Sequence, residues 1–159
     1  ADADKDDIDG ALHSLNKLNE STSGHEVSSV KRELQEVMQN YFGVFRRGDY
    51  MEKGVSALSD IREKIDNLHL QDKSAAFNTN RVEAIELQNL FEVAEATAIS
   101  SLQRTESRGA HAREDYPDRD DENWLCHSLY DPTSKSLGKR KVNFEPKQVD
   151  AFPPKIRTY

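Results

Sequence analysis

Three amphipathic stripes follow one another between Val27 and Arg104, and they leave a chain of 159 residues few folds to choose from. In the first, Val27, Val30, Leu34, Val37, Tyr41 and Val44 recur at alternating steps of three and four, which places them on one helix face. Met38, Phe42 and Phe45 widen that face enough to meet two neighbours. Ser23 with Glu26 reads as a capping box at its start, Gly48 as its end, and Asp49 with Glu52 as the cap of the next helix. The second stripe runs through Met51, Val55, Leu58, Ile61, Ile65 and Leu68. The link between the two is short, so they must be antiparallel neighbours. Asn67 to Asn80 reads as a longer loop. The third helix carries Val82, Ile85, Leu87, Leu90, Phe91, Ala94, Ala98 and Leu102, and its alanines allow another element to approach closely. The expected fold is mainly α, an antiparallel three-helix bundle of spectrin-repeat-like form over residues 23–107.

The flanks differ in character. Residues 1–22 combine an acidic leader (Asp2, Asp4, Asp6, Asp7 and Asp9) with a shorter helix from Ile8 to Leu18. Residues 108–159 are punctuated by Gly109, Pro117, Pro132, Gly138, Pro146, Pro153 and Pro154 and read as an irregular C-terminal arm. Within it, Leu125 to Tyr130 and Arg140 to Glu145 are expected to form a small β-hairpin, with Val142 and Phe144 on one side. A lone hairpin is marginal in water, so this one needs a surface to lie against, either the bundle or another domain.

Composition excludes several functions. A net charge of −7 with no long basic helix face argues against nucleic acid as the main partner, because phosphate neutralisation dominates that affinity. No apolar run approaches the roughly 20 residues that span a bilayer, so direct membrane insertion is not expected. Ala1 to Gly10 is acidic where a signal leader would be basic, and Ala1 in place of Met suggests a piece of a longer polypeptide. Cys126 is the only cysteine, which rules out an intrachain disulfide or a thiolate zinc site and fits a reducing compartment. With seven glycines and no G-x-G-x-x-G after a strand-like run, the dinucleotide-binding fingerprint is missing, and no residue is assigned to a cofactor.

The stretch from Thr105 to Trp124 holds the candidate chemistry. Arg108 and Arg113 are of the type that clamps carboxylates bidentately, and His111 is of the type that moves a proton near neutral pH. Yet Glu106, Glu114, Asp115, Asp118, Asp120, Asp121 and Glu122 lie beside them as ready ion-pair partners. Structural ion-pair networks often imitate functional sites. Arg108, His111, Arg113 and Asp115 are therefore assigned to a domain interface, and no residue is assigned a catalytic role. His111, Asp115, Cys126 and His127 lack compact ligand spacing, so no metal ligand is assigned either. Cys126 beside Trp124 and Leu125 reads as a small buried hydrophobe, and His13, His25 and His69 as surface or helix-end residues.

The run Thr105-Glu-Ser-Arg-Gly-Ala-His-Ala-Arg-Glu-Asp-Tyr-Pro117 closely resembles the segment after the helical domain in the flavoprotein subunits of succinate dehydrogenase and fumarate reductase. Trp124-Leu-Cys-His-Ser-Leu-Tyr130 and Ala151-Phe-Pro-Pro-Lys-Ile-Arg-Thr-Tyr159 look most like the bacterial succinate dehydrogenase branch. Leu34 to Arg46 and Asn78 to Leu90 also look similar. The resemblance implies the helical domain of that subunit with its C-terminal extension. It further implies a parent enzyme that oxidises succinate to fumarate through covalently held FAD, with electrons passing to an iron–sulfur subunit and then quinone. The flavin-attaching histidine and the substrate clamps of such a subunit belong to motifs absent here. This part is then structural and inert alone. Its partners would be the flavin-binding and capping domains, the iron–sulfur subunit and the flavinylation assembly factor. The expected location is the cytoplasmic side of the bacterial inner membrane, as a peripheral subunit. A fumarate reductase fragment, a stand-alone helical interaction module and an independent enzyme are the other readings.

Overall fold

The computed structural model describes residues 4–155. Asp2 of the acidic leader and the last four positions of the tail, 156–159, lie outside the described residues. In chain order the elements are α1 (Lys5–Glu20), β1 (His25–Glu26), α2 (Val27–Tyr41), β2 (Phe45–Arg46), α3 (Gly48–Asp66) and β3 (Leu68–His69). Then follow α4 (Thr79–Gln103), β4 (Ala112–Arg113), α5 (Asp121–Trp124), β5 (Cys126–Asp131) and β6 (Ser136–Lys141). Helices α2, α3 and α4 pack pairwise into the expected bundle. Their antiparallel order follows from two short parallel ladders that clasp its opposite ends. β1, just before α2, pairs with β3, just after α3 (His25 with Leu68). β2, between α2 and α3, pairs with β4, beyond the end of α4 (Phe45 with Ala112).

The three stripes supply one core. Val27, Val30 and Leu34 of α2 meet Met51, Leu58, Ile61 and Ile65 of α3 and Ala84, Leu87, Phe91, Ala94 and Ala98 of α4. Leu18 of α1 plugs the edge of that core, whereas Ile8, Leu12 and Leu15 of the same helix face outward. Gly54 is where α3 approaches the end of α2. A Cβ there would lie 2.5 Å from Phe42 Cε2 and 2.6 Å from Tyr41 Cβ. Alanine would add about 1 kcal/mol of helix propensity. However, Tyr41 Cβ is fixed to the backbone and cannot yield, and overpacking costs about 1–3 kcal/mol. Gly54→Ala is thus expected to lower the thermal midpoint by several degrees in a calorimetric scan, against its helix propensity.

Several sequence expectations move in three dimensions. α2 stops at Tyr41 with Phe42 as its C-cap, so Val44 and Phe45 leave the stripe and stand exposed in the connection. No capping box forms at Ser23; Glu26 occupies the cap position, and Ser28 Oγ donates to its carboxylate. Gly48 opens α3 instead of ending α2, and Asp49 sits in the first turn, paired with Arg47. In α4, Val82 and Leu90 face solvent while Glu95 and Ser101 are buried. The hairpin forms, but its second strand is Ser136–Lys141, not Arg140 to Glu145. Val142 and Phe144 fall beyond it.

The hairpin finds its surface on α4. Glu95, buried on that helix, accepts from Tyr130 Oη at 3.0 Å and Lys135 Nζ at 3.0 Å, and Arg62 of α3 sits 3.3 Å away. Burial alone would raise the Glu95 carboxyl, but the Lys135 and Tyr130 hydrogen bonds and the Lys135 and Arg62 charges outweigh it and hold the group below its usual range. Burial and the Glu95 charge together push Tyr130 up to about 12.

Candidate domain-interface site

A helix C-terminus leaves its last carbonyls without partners, and the end of α4 is buried against the loop that follows. Arg113 answers both problems. Its side chain is 3% exposed, and Nη1 donates to the carbonyls of Ser101 (3.2 Å), Leu102 (2.9 Å) and Arg104 (3.2 Å). Nε and Nη2 form a fork on Asp115, each bond 2.7 Å. Asp115 Oδ2 in turn accepts from Gly48 N at 2.9 Å, at the start of α3. One ion pair thus places a cation at the C-terminus of α4 and an anion at the N-terminus of α3, the arrangement both helix dipoles favour. A side chain at Gly48 would crowd Asp115 Oδ2 at 3.0 Å and Arg113 Nη2 at 3.2 Å, which explains a glycine there. The paired guanidinium and the Gly48 N–H hold the Asp115 carboxyl far below the usual carboxylate range despite some burial.

Glu106 is the second anchor, fully buried with 0% exposure. Oε1 accepts from Arg104 Nε at 2.8 Å and Arg108 Nε at 2.7 Å, and Oε2 from Arg108 Nη2 at 2.9 Å and Asp120 N at 2.8 Å. Burial opposes its ionisation, but the Arg108, Asp120 and Arg104 bonds prevail and keep the carboxyl below its ordinary value. Arg108 reaches Asp121 at 2.7 Å, and Arg104 also donates to the carbonyl of Trp124. Trp124 is buried, with its Nε1 donating to Thr105 Oγ1 at 3.0 Å. Gly109, at φ +59, makes the tight reversal that lets Arg108 and His111 exchange backbone hydrogen bonds.

His111 joins this loop to the far end of α2. Arg46 donates through Nη1 to His111 Nδ1 at 2.9 Å, while its Nε and Nη2 donate to the carbonyls of Gly43 and Phe42. A guanidinium has no lone pair, so Nδ1 must be the acceptor and Nε2 carries the hydrogen given to Arg104 O at 3.1 Å. Burial, with the Arg46, Arg113 and Arg104 charges, pushes the ring below its ordinary value although the Arg104 carbonyl favours a proton. The unfolded ring therefore binds a proton more readily than the folded one. Its contribution to stability is full above about pH 6.5, the ordinary histidine value, and is lost as pH falls through the folded value. In urea unfolding, His111→Asn is expected to flatten the pH dependence of stability between about pH 5 and 7.

The loop also walls one side of a cavity of about 840 Å³, shared with Phe45, Ala112, Pro117 and Pro154. Arg108, Arg113 and Arg119, the guanidiniums facing the cavity, are already engaged by Glu106, Asp121 and Asp115. Among the described residues no glycine-rich turn opens a long helix beside it. All four candidate residues are gathered in one region. Arg113 pairs with Asp115, whereas Arg108 and His111 act through Glu106 and Arg46. Glu106 and Asp121 serve as the arginine partners and Asp120 donates its backbone N–H to Glu106, while Arg46 is a participant with no local sequence signal, because it lies far back in the chain. Cys126 is half-buried, not a core residue as expected, with Sγ facing Asn123 O. Among the described residues no three His, Cys, Asp or Glu side chains converge as a metal site.

Fold and site together define a helical bundle with one end tied down by a charge-paired loop and with a hairpin arm backing α4. The chain belongs to the family described as fumarate reductase flavoprotein C-terminal, which matches residues 31–159 and so takes in bundle, loop and arm alike. A succinate dehydrogenase flavoprotein subunit of Coxiella burnetii is 43% identical over 152 residues, covering 96% of this chain and 26% of that protein. The mitochondrial counterpart of Oryza sativa is 38% identical over 149 residues, covering 91% of this chain and 24% of that one. The chain thus spans about a quarter of the length of the curated relatives it matches. Among solved structures, an E. coli quinol fumarate reductase chain superposes with a TM-score of 0.84 at 28% identity, covering 100% of this chain and 28% of that one. Adenylylsulfate reductase of Archaeoglobus fulgidus, at 20% identity and a TM-score of 0.73, shares the fold. The resemblance expected from the Thr105 to Pro117 run is therefore borne out. No helix among the described residues is long and apolar enough to cross a membrane.

Proposed function

We propose that the chain is the helical domain and C-terminal extension of a succinate dehydrogenase flavoprotein subunit. The observation that carries this is the alignment of 96% of the chain, at 43% identity, with about a quarter of the Coxiella burnetii subunit. In this reading residues 1–22 are an acidic lead-in, 23–107 the bundle and 108–159 the extension. The whole subunit oxidises succinate to fumarate with FAD held outside this chain, and passes electrons to an iron–sulfur subunit and quinone on the cytoplasmic side of the membrane. The domain itself holds no reacting group. It buttresses the flavin-binding and capping domains and offers surface to the iron–sulfur subunit and the flavinylation assembly factor. Fumarate reduction is the second reading, favoured by the superposition on the E. coli quinol fumarate reductase chain.

Arg108, His111, Arg113 and Asp115 form the seam with the flavin domain in this scheme, by holding the loop in the shape the seam needs. The test places Arg108→Ala in the full-length subunit and measures covalent flavin and succinate–dye turnover together. Both are expected to fall, and unchanged values for both would sink the seam. The chain alone, given FAD and succinate, is expected to show no turnover; measurable turnover would overturn the structural role.

A further inference from the structure

We infer that the ridge formed by Val44 and Phe45, with the groove beside it, is the seat for an apolar segment from the remainder of the flavoprotein subunit. This rests on the function proposed above and names the contact within the same seam. Val44 and Phe45 are 73% and 76% exposed, adjacent and large. Exposed apolar residues side by side mark a contact surface far more often than scattered single ones do. Nor are they loose. Phe45 is held in register with Ala112, Glu114 N donates to Arg46 O at 2.8 Å, and Arg46 ties the turn to Gly43 O and Phe42 O. A rigid ridge loses little conformational entropy when it is covered.

Phe45 separates two depressions. On one side lies the 840 Å³ groove with Ala112, Pro117 and Pro154; on the other, a hollow of about 230 Å³ beside Tyr41 and Tyr50. The carbonyl of Lys155 accepts from Arg119 Nη1 at 3.0 Å, so the last described residues run along the same rim.

Charge decides the kind of partner. Arg108, Arg113, Arg119 and Arg47 around the ridge are each paired within the chain, to Glu106 and Asp121, Asp115, Asp121 and Asp49. Burying an unpaired charge is costly, whereas charges already paired and hydrogen-bonded demand nothing from the partner. Glu114, Asp118 and Lys155 also line these depressions and form no ion pair among the described residues, so the part of the occupant over Val44 and Phe45 is apolar and any charge it carries lies against those three. It is also close at hand. The E. coli chain that shares this fold with a TM-score of 0.84 is one of which this chain covers 28%, so the same domain exists joined covalently to a much longer polypeptide. Covalent linkage gives an occupant a high effective concentration.

The experiment uses Phe45→Cys in a Cys126→Ser background, both in this chain and in the full-length subunit, with Glu36→Cys on α2 as an exposed reference. Maleimide labelling of position 45, relative to position 36, is expected to be at least tenfold slower in the full-length subunit than in the chain alone. Hydrogen exchange of the wild-type amides of residues 43–47 is expected to slow in the same comparison, which covers any weakening caused by the cysteine. Equal labelling and equal exchange in the two forms overturn the inference. Shielding in the chain alone, with a dimer in sedimentation, also overturns it, in favour of a second copy as occupant. Succinate oxidation by the same full-length protein is read separately. If turnover is present and position 45 stays open, this inference falls and the proposed function stands; if turnover is absent, the proposed function falls.

Discussion

Glu106→Gln is expected to destabilise the chain by about 3–5 kcal/mol, the cost of breaking a buried ion pair by removing one partner. The carboxylate is wholly buried and accepts from two arginines and from Asp120 N. An amide of the same shape keeps one acceptor oxygen but turns an N–H₂ toward a guanidinium or toward the Asp120 N–H, so donors face donors. Arg104 and Arg108 are then left partly desolvated, Arg104 keeping only its bonds to carbonyls and Ser128, and Arg108 its pair with Asp121. Domains of this size are commonly stable by about 5–15 kcal/mol, so the loss is a large share of the total. Urea unfolding at pH 7 of wild type and variant measures it directly. A loss below about 1 kcal/mol would mean that the arginines hold the loop without the carboxylate.

Arg113→Lys is expected to lose about 2–4 kcal/mol although it preserves the charge, in the range of a broken buried hydrogen-bond network. Lysine cannot make the planar fork on Asp115 and also reach the carbonyls of Ser101, Leu102 and Arg104. The end of α4 then loses its cap, and Asp115 loses the partner that holds it at the Gly48 N–H. A pH profile separates this loss from simple mispacking. In the wild type the folded Asp115 carboxyl lies well below the unfolded one, so its stabilisation is fully present above about pH 4 and is lost as pH falls toward the folded value. In Arg113→Lys the folded carboxyl returns toward the ordinary value, and the wild-type advantage should shrink steadily from about pH 4 to about pH 2. A constant difference across that range would assign the loss to packing alone.

The bundle was legible because helical periodicity is local. Val27 to Leu34, Met51 to Ile65 and Leu87 to Ala98 announce their buried faces by spacing, and those faces are the core. The same logic misplaced Val44 and Phe45. Their spacing continues the α2 stripe, but the helix ends at Phe42, where Arg46 folds back onto the carbonyls of Phe42 and Gly43. The hairpin was anticipated with its second strand too late, because Val142 and Phe144 supply the alternation that β6 itself lacks. In its place the turn is set by Lys135, at φ +52 with Nζ on the buried Glu95.

The candidate site divides along the same line. Arg113 and Asp115 are two residues apart, as are Arg108 and Glu106, so the chain sets arginines beside carboxylates, but which of the seven acidic neighbours each arginine takes, Asp121 for Arg108 included, is decided by the fold. The motif likewise carried the family, and its helix faces carried the bundle. Contacts between Arg46 and His111 or Asp115 and Gly48 are different in kind. They join positions more than sixty residues apart in the chain, and they exist only because the clasp of β2 on β4 brings the connection between α2 and α3 to the end of α4. Local spacing marked most of the buried helix faces and gathered arginines and carboxylates in one segment. Packing in three dimensions decided which helix ends those pairs secure, and that Val44 and Phe45 face outward beside them.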